Sequence, residues 1–274
     1  MDHYIGEDNS LAILVLSCDK YKDVWNDFFN LKEMFWPDCP YHCYLATDTV
    51  EYQREGVDVI HFGNIRTWSI CAYKALSQIK ESYVALFLED AFIYKTIDTR
   101  IVAQNLKFCY EHHADFLTME RNRMRKTITP EDQVVPHIWK IDKHQKYGID
   151  TSAAIWNKQF LLDALMKHDC DAWQFEVNYC REAETEEGLS GAIYFDDRQP
   201  FNISPIEIVR LGKINPDAVR FYKKMGYDIN VSEREIMSWW QTLFVNMKAR
   251  FFESRFFTTV VKKVFQLFGT EFFT

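Results

Sequence analysis

The chain has 274 residues, 47% of them apolar, with nine glycines and seven prolines, which supports a sizeable core and excludes a disordered or collagen-like protein. Its formal net charge of −8 disfavours nucleic-acid binding, which needs a basic surface. Seven cysteines, scattered and without C-x-x-C, fit free thiols in a reducing cytoplasm better than a disulfide framework.

The first element is Leu11 to Leu16 (L-A-I-L-V-L), an apolar run that predicts a buried strand and ends at Ser17-Cys18-Asp19-Lys20. From Tyr21 to Met34, Val24, Trp25, Phe28, Phe29 and Leu31 recur at helical spacing, and Pro37 and Pro40 stop the helix. Cys39, His42 and Cys43 could be zinc ligands, but no second pair follows at finger spacing. Tyr41 to Leu45 predicts a strand ending at Ala46-Thr47-Asp48, and Val57 to Phe62 another. Trp68, Ala72, Ala75, Leu76 and Ile79 line one face of a helix that feeds Val84 to Phe92, V-A-L-F-L-E-D-A-F. This run reads as a central strand buried on both faces, ending in Glu89 and Asp90. Strands alternating with helices predict an α/β fold with a largely parallel sheet. Such sheets bind ligands at the carboxyl ends of their strands, so Glu89 and Asp90 either hold a metal-bound or phosphorylated ligand or are solvated acids. There is no G-x-G-x-x-G and no P-loop.

Asp115 to Met119 predicts a short strand, and Arg121, Arg123, Arg125, Lys126 and Thr127 to Val135 a polar loop. Thr151 to Trp156 leads to a helix capped by Asn157, with Phe160, Leu161, Ala164 and Leu165 inward. Trp173 to Glu176 opens another amphipathic pattern, in which Glu176 either faces water or sits in an aromatic site. Glu182, Glu184, Glu186 and Glu187 read as a solvated, mobile loop. Asn215 and Pro216 start a helix that runs to about Met225, with Gly226 beyond it. Arg210 and Lys213 precede that helix; Lys213 lies just before its N-terminus, where free N–H groups favour an anion that would sit between them, the alternative being an exposed lysine turned to water.

Ser232 and Glu235 are expected to form a capping box, with Met237, Trp239, Trp240, Leu243, Phe244 and Met247 continuing as helix. Between Asn246 and Phe273, five Lys or Arg residues face only Glu253 and Glu271 and are interleaved with phenylalanine. A basic, Phe-rich helix in an acidic protein predicts attachment to a membrane surface; docking on the rest of the protein or dimerisation is the alternative. No apolar run reaches the ~20 residues that span a bilayer. The first residues, with Asp2, Glu7 and Asp8, have no leader-like core.

Six segments carry a resemblance when taken in order. They are S-C-D-K-Y at Ser17, W-P-D-C-P-Y at Trp36, L-E-D-A-F at Leu88, A-A-I-W-N at Ala153, W-Q-F-E at Trp173 and G-K-I-N-P at Gly212. Over residues 10–226 the chain resembles bacterial GT-A glycosyltransferases of cell-surface polysaccharide (lipopolysaccharide or capsule) biosynthesis. The resemblance implies an α/β fold with a GT-A-like, Rossmann-like central sheet over residues 1–231, followed by an amphipathic helical segment over 232–274. It implies transfer of a sugar from a nucleotide-diphosphate donor to a hydroxyl of a glycan or lipid-linked glycan, with inversion. Glu176 would be the general base, at the place where similar transferases carry theirs. Asp19 and Asp48 would contact the nucleoside, and Lys74, Glu89, Arg210 and Lys213 the rest of the donor. Asp90 would hold a divalent metal, Mn2+ or Mg2+. The family usually carries D-x-D where this chain has Glu-Asp-Ala, a departure that bears on the metal. The expected location is the cytoplasm, peripherally on the inner face of the plasma membrane. The alternatives are a catalytically inactive sugar-binding or scaffold protein on a membrane, and a nucleotidyltransferase, although S-C-D-K-Y lacks a phosphate-loop glycine.

Overall fold

The computed structural model of the chain describes residues 11–65, 67–119 and 128–253. Arg121, Arg123, Arg125 and Lys126, and the basic segment from residue 254 onward, lie outside the described residues. The chain divides into two compact units, Met1–Pro205 and Ile206–Thr274. This division falls before the expected boundary at residue 231, and places Arg210 and Lys213 in the same unit as the C-terminal helix.

The first unit is built on a nine-stranded sheet. Its strands are β1 (Leu11–Leu16), β2 (His42–Thr47), β3 (Val57–His61), β4 (Tyr83–Leu88), β5 (Phe116–Thr118), β6 (Gln133–Val135), β7 (Ile138–Lys140), β8 (Ala154–Asn157) and β9 (Ile193–Asp196). Their order is β3-β2-β1-β4-β8-β5-β9-β7-β6. β1 to β4 pair in parallel, as does β5 with β9. β8 runs antiparallel to both neighbours, and the β6–β7 hairpin brings β7 antiparallel to β9. The fold is therefore α/β with a mostly co-directional sheet, as expected, but the reversed β8 departs from a simple parallel reading. The polar stretch read as a loop up to Val135 also ends in β6, because Gln133 and Val135 find partners on β7.

The helices are α1 (Lys22–Phe35), α2 (Trp68–Leu76), α3 (Thr99–Glu111), α4 (Lys158–Met166) and α5 (Ala172–Ala183). Alternation along β1 splits the core. Ala12, Leu14 and Leu16 join one cluster with Ala72, Ala75 and Leu76 of α2, Leu161 and Leu165 of α4, and Phe175 and Tyr179 of α5. Phe87 of β4 meets Phe28 of α1 at 6.0 Å. Trp156 of β8 is fully buried, 4.3 Å from the Phe116 ring centroid. Truncating a side chain so enclosed usually costs about 3–5 kcal/mol. Asn157 caps α4 as expected, accepting from the Phe160 amide at 3.1 Å.

In the second unit, β10 (Val209–Arg210) and β11 (Lys213–Ile214) form a hairpin whose turn residues, Leu211 and Gly212, both have positive φ (50° and 75°). Helix α6 (Pro216–Lys224) starts at the expected Asn215 cap, whose side chain accepts from the Asp217 amide at 3.0 Å. Helix α7 (Trp239–Glu253) starts later than expected. Ser232 does not cap it: its hydroxyl donates to Asn230, and Glu235 pairs with Lys213. The capping box lies at Ser238 and Gln241 instead. Ser238 Oγ accepts from the Gln241 amide at 3.3 Å, and Gln241 Oε1 from the Ser238 amide at 2.9 Å. No helix among the described residues is long and apolar enough to cross a membrane.

Candidate active site

Asp19, Asp48, Glu89, Asp90 and Glu176 lie near one edge of the sheet, where β1, β2 and β4 end and β8 begins, whereas Lys74 is exposed in the last turn of α2. At the end of β1, Trp25 Nε1 donates to Ser17 Oγ at 2.7 Å and fixes the exit of the strand. Asp19 then reaches across to the loop after β2. Its carboxylate accepts from Thr47 Oγ1 (2.9 Å), the Thr49 amide (3.0 Å), Thr49 Oγ1 (2.8 Å) and the Val50 amide (3.0 Å). The Asp19 amide returns the contact, donating to Asp48 Oδ2 at 2.8 Å. Burial raises the Asp19 pKa, but the donors from Val50, Thr49 and Thr47 outweigh it and hold the group at about 2. Asp19 is thus a clamp on residues 47–50.

At the end of β4, Glu89 is buried and Asp90 half-buried. Two cysteines that the sequence reading passed over report the neighbourhood. Burial raises the Cys18 thiol, and the charges of Glu89 and Asp48 raise it further. Burial pushes Cys71, on α2, up to about 11, with Asp48 and Cys18 adding to the rise and Lys74 opposing it. Asp48 thus acts on both thiols, Glu89 on Cys18, and Lys74 on Cys71, three residues away on the same helix. Cys18 sits inside S-C-D-K-Y and Cys71 one turn into α2, so only their proximity in the fold could single them out.

The reversed β8 completes the edge. Ala154 pairs with Leu86 of β4 and with Thr118 of β5, so residues 150–153 enter the strand where Glu89 and Asp90 leave β4. Glu176 of α5 is held at this entrance, its Oε1 accepting from the Thr151 amide (2.8 Å) and hydroxyl (2.6 Å). Burial raises the Glu176 pKa, Thr151 pulls it down, and the neighbouring Asp150 raises it again; the net shift is upward. Asp150, itself buried and hydrogen-bonded to Ser152, is a further acid that the sequence reading missed. Its only sequence signal is its place just before an apolar run, the mirror image of Glu89 and Asp90. The expected aromatic wall divides: Phe175 is buried against Trp68 at 5.4 Å, whereas Trp173 is 63% exposed. The expected mobile acidic loop is shorter, because Glu182 lies within α5 and accepts from the Ser190 amide at 3.0 Å.

In the second unit, Arg210 pairs with Glu207 and Lys213 with Glu235, each at 2.8 Å. The Glu235 carboxylate answers the local charge problem that suggested an anion beside Lys213.

A hard divalent cation suits the oxygen donors of Glu89 and Asp90. Among the described residues, no group of three or more His, Cys, Asp and Glu side chains could hold a metal ion. Cys39, His42 and Cys43 therefore do not form a zinc set. An ion of the Mg2+ type needs less from the protein, because it is bound through one or two carboxylates and completed by substrate phosphates.

No protein-family model and no curated protein matches this chain. Among solved structures it is similar to TarS 1-349 of S. aureus, at 14% identity over 68% of this chain with a TM-score of 0.42. It spans 60% of that structure's length, and a TarS structure in complex with UDP gives a TM-score of 0.40. It is also similar to a 2-C-methyl-D-erythritol 4-phosphate cytidylyltransferase from Thermus thermophilus, at 10% identity over 79% of this chain and 98% of that one, TM-score 0.45. The galactosyltransferase LgtC, solved with donor and acceptor sugar analogs, gives 11% identity over 81% and 98%, TM-score 0.42.

The Asp19 clamp has a pH signature. A carboxylate whose folded pKa is depressed contributes stability above its unfolded value and loses it as pH falls through the folded one. Asp19→Ala should lower stability by about 1–2 kcal/mol at pH 7, the lower part of the range for charged hydrogen bonds because the site is partly open to water. Thermal unfolding from pH 6 to pH 2 should show the difference from the native chain shrinking between the usual value of 3.8 and about 2. A constant difference across that window would remove the clamp.

Proposed function

We propose that this protein is a glycosyltransferase that moves a sugar from a nucleoside-diphosphate donor to a hydroxyl of a glycan or lipid-linked glycan. One observation carries the reading: Glu176, with a raised pKa, is fixed by Thr151 at the sheet edge where Asp48, Glu89 and Asp90 also lie. A carboxylate held there can accept the proton of an acceptor hydroxyl as that oxygen attacks the anomeric carbon. The bond from that carbon to the diphosphate breaks, and the nucleoside diphosphate leaves. Attack opposite the leaving group inverts the anomeric centre. In this reading Asp48 would meet the nucleoside, and Lys74 the negative charge of the donor. Asp90, with Glu89, would hold Mn2+ or Mg2+, which when bound neutralises charge on the diphosphate. The exposed Trp173, three residues before Glu176 and so on the same helix face, offers a ring for stacking against a sugar.

The assay that tests this is release of nucleoside diphosphate from a panel of sugar donors. A nucleotidyltransferase would instead release pyrophosphate, and a sugar-binding scaffold would release neither. Glu176→Gln should bind donor normally and lose transfer by ~10²–10⁴-fold. The acid limb of the pH–rate profile should have its midpoint above the usual 4.5, because the base works only when ionised. Undiminished transfer by Glu176→Gln would return that residue to a structural role.

Asp90→Asn should lower turnover at least ~100-fold with the fold intact, since charge neutralisation by a metal is worth several kcal/mol. Full activity of that variant, or of the native enzyme in excess EDTA, would remove the metal while leaving the base in place.

The same reading puts the protein on the inner face of the plasma membrane. Helix α7 supports it: Trp239, Trp240, Leu243, Phe244 and Met247 are 65, 71, 38, 67 and 61% exposed, at spacings that place them on one face. Lys248, Arg250, Arg255, Lys262 and Lys263 and eight phenylalanines follow in the sequence. Such a face suits an anionic bilayer, with tryptophan at the headgroup level and basic residues attracted to the lipid charge. Removing residues 246–274 should abolish co-sedimentation with anionic liposomes and spare activity on a short soluble acceptor. Binding of the full chain should weaken with salt as the Debye length falls to ~3 Å at 1 M. Loss of soluble-acceptor activity on truncation would mean that the segment docks on the protein instead.

A further inference from the structure

The opposite edge of the sheet carries a second set of reactive groups. Between α1 and β2 the chain makes a turn held by the buried Trp36, whose Nε1 donates to Thr99 Oγ1 at 2.8 Å. The Cys39 amide donates to the Trp36 carbonyl at 3.3 Å. This turn brings two free thiols together. Cys39 Sγ lies 4.0 Å and Cys43 Sγ 3.9 Å from the same acceptor, the Tyr41 carbonyl oxygen, so one carbonyl draws both sulfurs to the same side of the turn. Cys43 is buried, while Cys39 lines a surface cleft of about 390 Å3 with Lys32, Glu33, His42 and Glu55.

We infer that Cys39 and Cys43 form a reactive dithiol, a modification site that a hydroperoxide closes reversibly to a disulfide. The electrostatics favour it. The hydrogen bond from Cys39 lowers the Cys43 thiol against the effect of burial, with Lys32 and His42 adding to the fall, and the same bond raises Cys39. Burial instead raises Cys18, Cys71, Cys109, Cys170 and Cys180. The negative charge of the pair therefore rests first on Cys43, beside Lys32, the setting in which thiolates form.

Transfer of the Cys39 proton to the Cys43 thiolate leaves the thiolate on Cys39, the sulfur that lines the cleft. This sulfur attacks the O–O bond of hydrogen peroxide; an S–O bond forms, the O–O bond breaks, and hydroxide leaves as water after taking a proton from solvent. The Cys43 sulfur then attacks the sulfenic sulfur; the S–S bond forms, the S–O bond breaks, and the second hydroxide leaves as water with the Cys43 proton. Two thiols and one peroxide give one disulfide and two waters. Cys43 stands near the start of β2 and Asp48 just past its end, so the dithiol is separate from the candidate active site.

The test uses the full, reduced chain and one equivalent of hydrogen peroxide near neutral pH. Trypsin cleavage after Lys32 and Arg54 gives one peptide containing Cys39 and Cys43 and no other cysteine. Under non-reducing conditions that peptide should lose the mass of two hydrogens and regain it with dithiothreitol, roughly tenfold faster than any other cysteine is modified. Cys43→Ser should stop the reaction at a sulfenic acid on Cys39 that dimedone traps. Sulfinic or sulfonic acid on a single cysteine without the disulfide, or oxidation no faster than at the other thiols, would overturn the assignment. So would a Cys43→Ser chain that dimedone does not label.

Discussion

A strand buried on both faces can carry no polar side chain along its length. β1 is buried at all six positions, and β4 at every position but its last. In the centre of the sheet, chemistry is therefore confined to the ends of strands, where the backbone turns back toward water. Cys18 and Asp19, Thr47 and Asp48, and Glu89 and Asp90 all stand at such ends. The reversed β8 adds a segment from far along the chain, because an antiparallel strand begins where its neighbours finish. Without that reversal Asp150 and Thr151 would lie at the opposite edge, and Glu176 would have nothing to hold it there.

Asp19 and Glu176 show how environment divides the work among similar side chains. Each accepts several hydrogen bonds, and each is affected by burial. For Asp19, donors from three residues outweigh burial and the group stays ionised. For Glu176, the Thr151 donors are outweighed by burial and by Asp150. The first carboxylate is suited to fixing a loop, and the second to exchanging a proton.

The second unit follows more local rules. Positive φ at Leu211 and Gly212 turns the hairpin, Asn215 starts α6, and Ser238 with Gln241 starts α7. The pattern S-x-x-E at Ser232 obeys the same rule on paper. It fails because Lys213 claims Glu235, and Asn230 claims the Ser232 hydroxyl. A capping motif is a competition among nearby partners, and a linear sequence lists only some of them.

Contiguous patterns were legible in the sequence: the apolar runs of β1 and β4, the helical spacing of α1 and α2, the Asn157 and Asn215 caps, and the acids that follow strands. These depend on neighbours within a few residues, so the chain alone determines them. The direction of β8, the pairing of β6 with β7, the use of Asp19 as a clamp and the gathering of Asp150, Thr151 and Glu176 were not legible. Nor were the company of Cys18 with Cys71 or the common acceptor of Cys39 and Cys43, the Tyr41 carbonyl. Each depends on which groups meet across the sheet or a turn, and a hydrogen bond or a charge has no preference for sequence distance. The sequence by itself determined where strands end in carboxylates; only the tertiary structure decided which of those carboxylates are engaged and which are left for chemistry, because burial and hydrogen bonding set their charge.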